Sequence, residues 1–151
     1  MPVATIAQIQ ERVGTEVGVS SWLTIDQPRI EAFADATEDR QFIHVDPDGA
    51  AQTPFGGTVA HGFLSLSLLS RMGAEAMLLP DTMSMAVNYG LDRVRFIAPV
   101  PSGKRIRGRF VLDSVQEKAP GQLLVRHTVT VEIEGVDKPA LTAQWLALLF
   151  V

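Results

Sequence analysis

One long apolar segment limits what this chain can fold into. Residues 62–77, which read GFLSLSLLSRMGAEAM, are apolar or small at nearly every position. A helix over these 16 residues is about 24 Å long at ~1.5 Å per residue. Only Arg71 and Glu75, which are four positions apart, indicate an exposed edge. We therefore expect a helix that the rest of the chain must surround.

The second half of the chain predicts strands that can cover this helix. Apolar residues alternate with small or polar ones over 83–91, 106–112 and 123–133, and residues 141–151 are apolar on both faces. Proline and glycine separate these runs. The pattern predicts an α+β fold in which an antiparallel sheet wraps one central apolar helix. One such sheet leaves an edge unpaired, so we expect a homodimer that joins two sheets.

Helices and a strand are expected before the apolar segment. The spacing of apolar residues predicts a short helix over 6–13 and a strand over 17–25. Asp26 is a candidate N-cap with Pro28 in the first turn, which predicts a second helix to about Ala36.

Composition excludes several classes of protein. With no cysteine, the chain cannot use disulfides, thiolate zinc sites or cysteine nucleophiles. Its 13 basic and 17 acidic residues give a net charge of −4, which argues against nucleic acid as the main partner. His61, Arg71 and Glu75 interrupt the most apolar stretch, so we expect no membrane span. We expect one globular domain over 1–151, without an export signal and hence cytoplasmic.

Two short motifs carry groups that could perform chemistry. Asp39 and His44 are five residues apart in a segment that is expected to be neither regular helix nor strand, beside apolar neighbours. Such a pair can hold and activate a water molecule, although an Asx turn and a locally hydrogen-bonded histidine are the simpler interpretation of this spacing. The backbone N–H of Gly62 opens the apolar helix and could polarise a carbonyl oxygen. The alternative there is a plain turn from loop to helix.

Other signals favour structural roles. His44, Asp46, Asp48 and His61 could form a metal-ligand set, but Asp46 followed by proline is typical of a helix cap, and we expect no metal. A short helical turn is predicted from there to residue 51. His127 lies on the apolar face of a strand and is expected to be a hydrogen-bonded core residue. The serines of the apolar helix lack the nucleophile-elbow motif of a hydrolase.

A family resemblance covers about two thirds of the chain. The run EDRQFIHVDPDGAAQTPFGGTVAHGFLSLSLLS resembles the signature of the MaoC-like dehydratases, the (R)-specific enoyl-CoA hydratase branch of the hot-dog fold. NYGLDRVRFIAPVPSGKRIRG is similar to the strand and turn that follow it there. The sequence ADATEDRQFIHVDP resembles that of the NodN-like subgroup. The chain departs from the better-known hydratases at Glu38, Gln41 and Phe42, which bears on acyl preference more than on the reaction.

The resemblance implies specific roles for residues of this chain. Its four catalytic positions are the acid Asp39, the histidine His44, the oxyanion donor Gly62 and the orienting serine Ser70. We assign substrate contacts to Phe42 and His61, and contacts with CoA phosphates to Lys104 and Arg105. Arg107 and Arg109 are expected to lie on a solvated strand face.

The reaction so implied adds water to a trans-2-enoyl thioester, on CoA or on a carrier protein, or removes it from the 3-hydroxyacyl thioester. It requires no cofactor, since CoA is part of the substrate. Which of Asp39 and His44 is the base stays open, because a coupled pair titrates as a unit. An acyl-CoA thioesterase of the same fold and a non-catalytic acyl-thioester-binding subunit are the alternatives.

Overall fold

The computed structural model describes residues 2–151. The six helices, α1 to α6, are Ile6–Glu11, Gln27–Thr37, Phe42–Val45, Pro47–Ala51, Gly62–Ser67 and Leu69–Ala76. The eight strands, β1 to β8, are Val3–Ala4, Glu16–Val19, Leu23–Ile25, Leu79–Pro80, Met85–Phe96, Lys104–Ala119, Gln122–Ile133 and Leu141–Phe150. The α+β prediction is confirmed.

A six-stranded antiparallel sheet forms the wall of the fold. Its order is β2-β6-β7-β8-β5, and β3 also pairs with β6. On β6 and β7, side chains are alternately buried and solvent-facing, as the period-two pattern predicts. The inner face packs on the apolar helical segment so closely that a Cβ on Gly73 would lie 2.8 Å from the Trp145 ring. The sheet therefore packs directly on this segment.

The apolar segment is two helices rather than one. We predicted a continuous helix over 62–77, and this is wrong because the helix is interrupted at Leu68, between α5 and α6. Near the break, the Ser67 hydroxyl donates to the Leu64 carbonyl at 2.8 Å, a back-bond that is known to bend helices. Phe63 is 68% exposed, so this chain alone does not surround the segment on every side.

The predicted strand over 17–25 is also interrupted. It forms β2 and β3, separated by Ser20, Ser21 and Trp22. The backbone N–H and hydroxyl of Ser21 donate to the Glu75 carboxylate at 2.8 and 2.7 Å, and Arg71 pairs with the same carboxylate as predicted. The Ser21 hydrogen bonds, assisted by Arg71, lower the pKa of Glu75 to about 2. These hydrogen bonds from Ser21 to Glu75 on α6 explain the break in the strand.

Other local predictions hold at the N-terminal half. The Asp26 side chain accepts from the Arg29 N–H at 3.1 Å and caps α2, with Pro28 in its first turn. Asp46 caps α4 by accepting from the Gly49 N–H at 3.1 Å. The parallel pairing of β1 with β4 was not predicted, because it joins residues far apart in sequence.

The buried core contains one histidine that has no polar partner. His127 is 1% exposed, as predicted, but neither ring nitrogen has a hydrogen-bond partner within residues 2–151. The prediction of a hydrogen-bonded histidine is therefore wrong. Its cross-strand neighbours are Leu112 and Trp145, and the Phe110 ring lies at 6.3 Å between centroids. Burial alone lowers the pKa of His127 to about 4.

The solvent-facing side of β6 is charged, whereas the edge strand β5 is largely apolar. Arg107 and Arg109 face solvent, as predicted, and pair with Glu132 and Glu16. The edge strand β5 is exposed along nearly its whole length although many of its residues are apolar. The large exposed apolar side chains on β5 are Met85, Val87, Tyr89, Leu91 and Phe96. No helix within residues 2–151 has the length and hydropathy to cross a bilayer.

Candidate active site

Asp39 lies between α2 and α3, and His44 lies within α3. Glu38 ends α2 in the left-handed conformation, with φ at 60°. The chain then forms the single turn α3, closed by a hydrogen bond from the Asp46 N–H to the Phe42 carbonyl at 2.9 Å. The expectation of an irregular segment is therefore wrong for α3, which is too short to produce a helical pattern in the sequence. The turn places His44 in a buried position with 7% exposure.

Hydrogen bonds fix the ring and the backbone of His44. Its Nδ1 lies 2.7 Å from the Val59 carbonyl oxygen. Because a carbonyl only accepts, Nδ1 carries the proton and Nε2 keeps a lone pair in the neutral ring. The Gln27 amide donates to the His44 carbonyl at 2.8 Å, and the Thr58 hydroxyl donates to the Gln27 amide oxygen at 2.7 Å. Sequence analysis missed Gln27, since a glutamine in the first turn of a helix carries no distinctive signal.

Asp39 lies beside this ring with an available carboxylate. The only hydrogen bond of this carboxylate within residues 2–151 is a long one, 3.4 Å from the Gln41 N–H, so the Asx turn of the simpler interpretation is weakly formed. A carboxylate oxygen of Asp39 and a ring nitrogen of His44 and of His61 lie within 4.8 Å of one another. The structure therefore brings the predicted acid and histidine together.

His61 lies behind His44 rather than at the surface. The two rings stack with centroids 3.8 Å apart and an angle of 23°, and Phe33 packs on the other side of His61 at 5.0 Å. The Nε2 of His61 lies 2.8 Å from the Asp39 backbone carbonyl oxygen and therefore donates to it. His61 is 2% exposed, which leaves little ring surface for the substrate contact that we predicted.

Asp39, His44 and His61 are also the residues that could ligate a metal ion. Their ligand atoms are close enough, but the two rings are stacked and nearly parallel, so the lone pairs that lie in the ring planes do not converge on one point. Asp46, from the set considered in the sequence, caps α4 instead. The arrangement suits a protic molecule such as water better than a tetrahedral cation.

Gly62 is the first residue of α5 and lines a cavity together with His44. A Cβ there would lie 2.8 Å from the Phe96 ring, so the close approach of that ring requires glycine. The cavity of about 270 Å³ is lined by His44, Gly62, Ser65 and Phe96 among others. Sequence analysis missed Ser65, which is 3% exposed; its position one helical turn beyond Gly62 is the only signal that could have found it.

Ser70 lies elsewhere on the helical segment. Together with Asn88 and Trp145 it lines two other cavities, of about 520 and 340 Å³. Ser65 belongs to α5 and Ser70 to α6, on opposite sides of the break at Leu68. The structure does not bring Ser70 into the cavity of His44, and its orienting role stays a prediction.

The residues predicted to bind the rest of the substrate differ in availability. Phe42 is 48% exposed. Arg105 donates from Nε to Glu134 at 2.7 Å, and this ion pair raises the pKa of Arg105 and lowers that of Glu134. Lys104 forms no ion pair within residues 2–151 and remains a better candidate for phosphate than its neighbour.

Comparisons with known proteins show the family of this chain. The family model described as "MaoC like domain" matches residues 8–135. Nodulation protein N of Rhizobium leguminosarum bv. viciae is 52% identical over 96% of this chain and 91% of that protein. 3-Hydroxyacyl-thioester dehydratase Z of Mycobacterium tuberculosis is 45% identical over 93% of this chain and 92% of that protein.

A solved structure gives the same result for the fold. The (R)-hydratase from A. caviae involved in PHA biosynthesis superposes with a TM-score of 0.70 at 25% identity, over 87% of this chain and 95% of that one. From the match of both sequence and architecture, the chain belongs to the MaoC-like dehydratase family and has its α+β hot-dog fold.

Proposed function

We propose that the protein is an (R)-specific enoyl-CoA hydratase, which adds water reversibly to trans-2-enoyl-CoA to give (R)-3-hydroxyacyl-CoA. One observation carries the proposal. A carboxylate and an imidazole whose free nitrogen is set by a hydrogen bond lie together, Asp39 with His44, and His44 lines one cavity with Gly62. The names of the relatives supply the substrate class, since one is a 3-hydroxyacyl-thioester dehydratase and another an (R)-hydratase.

Each of these groups has a step in the reaction. Asp39 and His44 hold one water molecule between them, and the pair accepts a proton as the water oxygen bonds to C3 of the enoyl chain. The protonated pair then gives a proton to C2, so that the elements of water are added across the double bond and the pair is restored. The thioester oxygen carries negative charge in between, and the Gly62 N–H donates to it. Dehydration runs through the same steps in reverse.

The proposed reaction sets the remaining requirements. It transfers no electrons and forms its charge on an oxygen that a backbone N–H can bind, so we propose no metal or redox cofactor. Lys104, at the start of β6, is exposed and suits a phosphate of CoA or of a carrier's phosphopantetheine arm. An acyl-thioester substrate is consistent with fatty acid metabolism in the cytoplasm.

The exposed edge of the sheet supports a homodimer. β5 leaves one long edge of the sheet unpaired, and its apolar side chains are exposed. Two-fold pairing of β5 with its copy would satisfy that edge and cover these side chains. Phe96 on β5 lines the cavity of His44, so the cavity would lie near the subunit boundary. Light scattering after size exclusion at low micromolar concentration should give twice the chain mass; a fully active monomer would contradict the proposal.

A crotonyl-CoA assay tests the proposed activity. Loss of the enoyl absorbance without release of thiol, with (R)-3-hydroxybutyryl-CoA as the product on chiral chromatography, is the expected result. Thiol release would instead support a thioesterase. Neither change, together with saturable binding of the ligand, would support a binding subunit. The matched control is the Asp39→Asn variant, which keeps the size of the side chain and removes its charge.

A further inference from the structure

His61 contacts both members of the proposed catalytic pair without reaching the cavity surface. It stacks on the His44 ring at 3.8 Å and donates from Nε2 to the backbone carbonyl of Asp39 at 2.8 Å. It is 2% exposed, and Phe33 closes its other face. A residue in this position can act on the reaction only through its neighbours.

The polar atoms of His61 show that it does more than fill space. Its Nδ1 is buried and has no hydrogen-bond partner within residues 2–151. A buried acceptor without a partner destabilises a fold, and a phenylalanine could stack on His44 without it. The Nε2–H is what a phenylalanine lacks. That N–H is used on the backbone of the residue that carries the proposed acid.

We propose that His61 is a positioning residue for the Asp39–His44 pair. The hydrogen bond to the Asp39 carbonyl fixes the main chain from which the carboxylate extends, and the stacked ring supports His44 from behind. Together they hold the carboxylate and the free nitrogen of His44 in the orientation that binds the water. This orientation matters because small misplacements of reacting groups slow reactions strongly. The activity readout of this inference rests on the proposed function.

Two variants separate the hydrogen bond from the stacking. His61→Phe keeps an aromatic ring behind His44 and loses the donor, whereas His61→Gln places an amide N–H near the position of Nε2 and loses the ring. We expect His61→Phe to lower kcat about tenfold or more with KM changed by less than about twofold. His61→Gln should recover kcat to within about threefold of the wild type.

Thermal unfolding tells positioning from simple stabilisation. His61→Phe removes the unpartnered Nδ1 but also the hydrogen bond to the Asp39 carbonyl; these effects on the free energy of unfolding oppose each other, so its Tm should stay close to that of the wild type while kcat falls. His127→Leu is the matched control: it replaces the other histidine that is buried with unpartnered nitrogens, and kcat should stay unchanged. An unchanged kcat in His61→Phe, or a loss of kcat accompanied by a lower Tm and not rescued by His61→Gln, would overturn the inference.

A measurement on the resting protein separates this inference from the proposed function. The chain has three histidines, so ¹⁵N-labelled imidazole spectra can be assigned with one variant per residue. We expect the Nδ1–H tautomer for His44 and the Nε2–H tautomer for His61. In His61→Phe, the His44 ring should no longer give one set of ¹⁵N signals, because it is no longer held in one conformation. If the wild type hydrates no enoyl thioester while these tautomers are observed, the proposed function fails and the placement of His61 stands. The Nδ1–H tautomer at His61 would overturn the inference whatever the activity.

Discussion

The buried histidines occupy two regions that differ in one respect. His44, His61 and His127 are 7%, 2% and 1% exposed. At the site, His44 and His61 each donate to a backbone carbonyl, of Val59 and Asp39 respectively. His127, within the sheet, has no partner at either nitrogen in residues 2–151. Burial alone can keep an imidazole neutral, but only a hydrogen bond decides which nitrogen carries the proton and where the free one points. A histidine suited to chemistry needs both.

The substitutions with the largest expected effect on the hydration rate remove the reacting groups. Asp39→Asn and His44→Gln should each lower the hydration rate about 100-fold or more while the fold persists, because each removes one of the two groups that hold and deprotonate the water. Steady-state kinetics with crotonyl-CoA and circular dichroism of each variant provide the check. His127→Leu, made in parallel, should leave the rate within about twofold. A near wild-type rate in either site variant would reject the assignment of the pair.

The second test concerns the pH dependence of stability. The unfolded chain protonates His127 near its ordinary pKa of 6.5, whereas burial keeps it neutral in the folded protein down to about 4. The unfolded state therefore binds more protons in this window, and His127 lowers the free energy of unfolding as the pH falls from 6.5 to 4, by up to about 3 kcal/mol. His127→Leu should remove this contribution and, at pH 7, stabilise the protein by about 1 kcal/mol through loss of two unpartnered nitrogens.

Urea unfolding of the wild type and His127→Leu at several pH values measures both effects. The two stability curves should diverge as the pH is lowered, with the variant the more stable protein. Parallel curves between pH 7 and 4 would show that His127 has a proton acceptor or a water partner in solution.

Among the predicted catalytic residues, the smallest expected effect on the hydration rate is at Ser70. Ser70 faces the cavities with Asn88 and Trp145, not the cavity of His44, so Ser70→Ala should lower the hydration rate by less than about tenfold. Ser65→Ala is the matched comparison, since Ser65 is buried in the wall of the His44 cavity. A loss at Ser70 as large as that of Asp39→Asn would show that Ser70 acts on the reacting groups in the assembled protein.

Local sequence signals predicted the fold wherever local physics determines it. Asp26 and Pro28 fixed the start of α2 through capping and a preset φ, and period-two patterns located the long strands. The break at Leu68 depends on a side chain that bonds to its own helix, and the gap between β2 and β3 depends on Glu75 more than fifty residues away. Hydrophobic pattern contains neither kind of information.

The site was predicted in its types of residue but not in its arrangement. The resemblance located Asp39, His44 and Gly62, and the structure brings the first two together and Gly62 into the cavity of His44. That His61 is behind His44, and that Arg105 is already paired with Glu134, follow from side-chain packing and ion pairing between distant segments. Such contacts become visible only after the chain is folded.

Backbone carbonyls anchor the segment around His44. Val59 accepts from the His44 ring, Asp39 accepts from His61, and the carbonyl of His44 accepts from Gln27. None of these acceptors depends on the side chain of the residue that supplies it. Substitutions at position 59, or of the side chains beside His44, can therefore alter the shape and polarity of the cavity while these hydrogen bonds to backbone carbonyls are kept. A scaffold of this kind allows substrate preference to diversify without rebuilding the reacting pair.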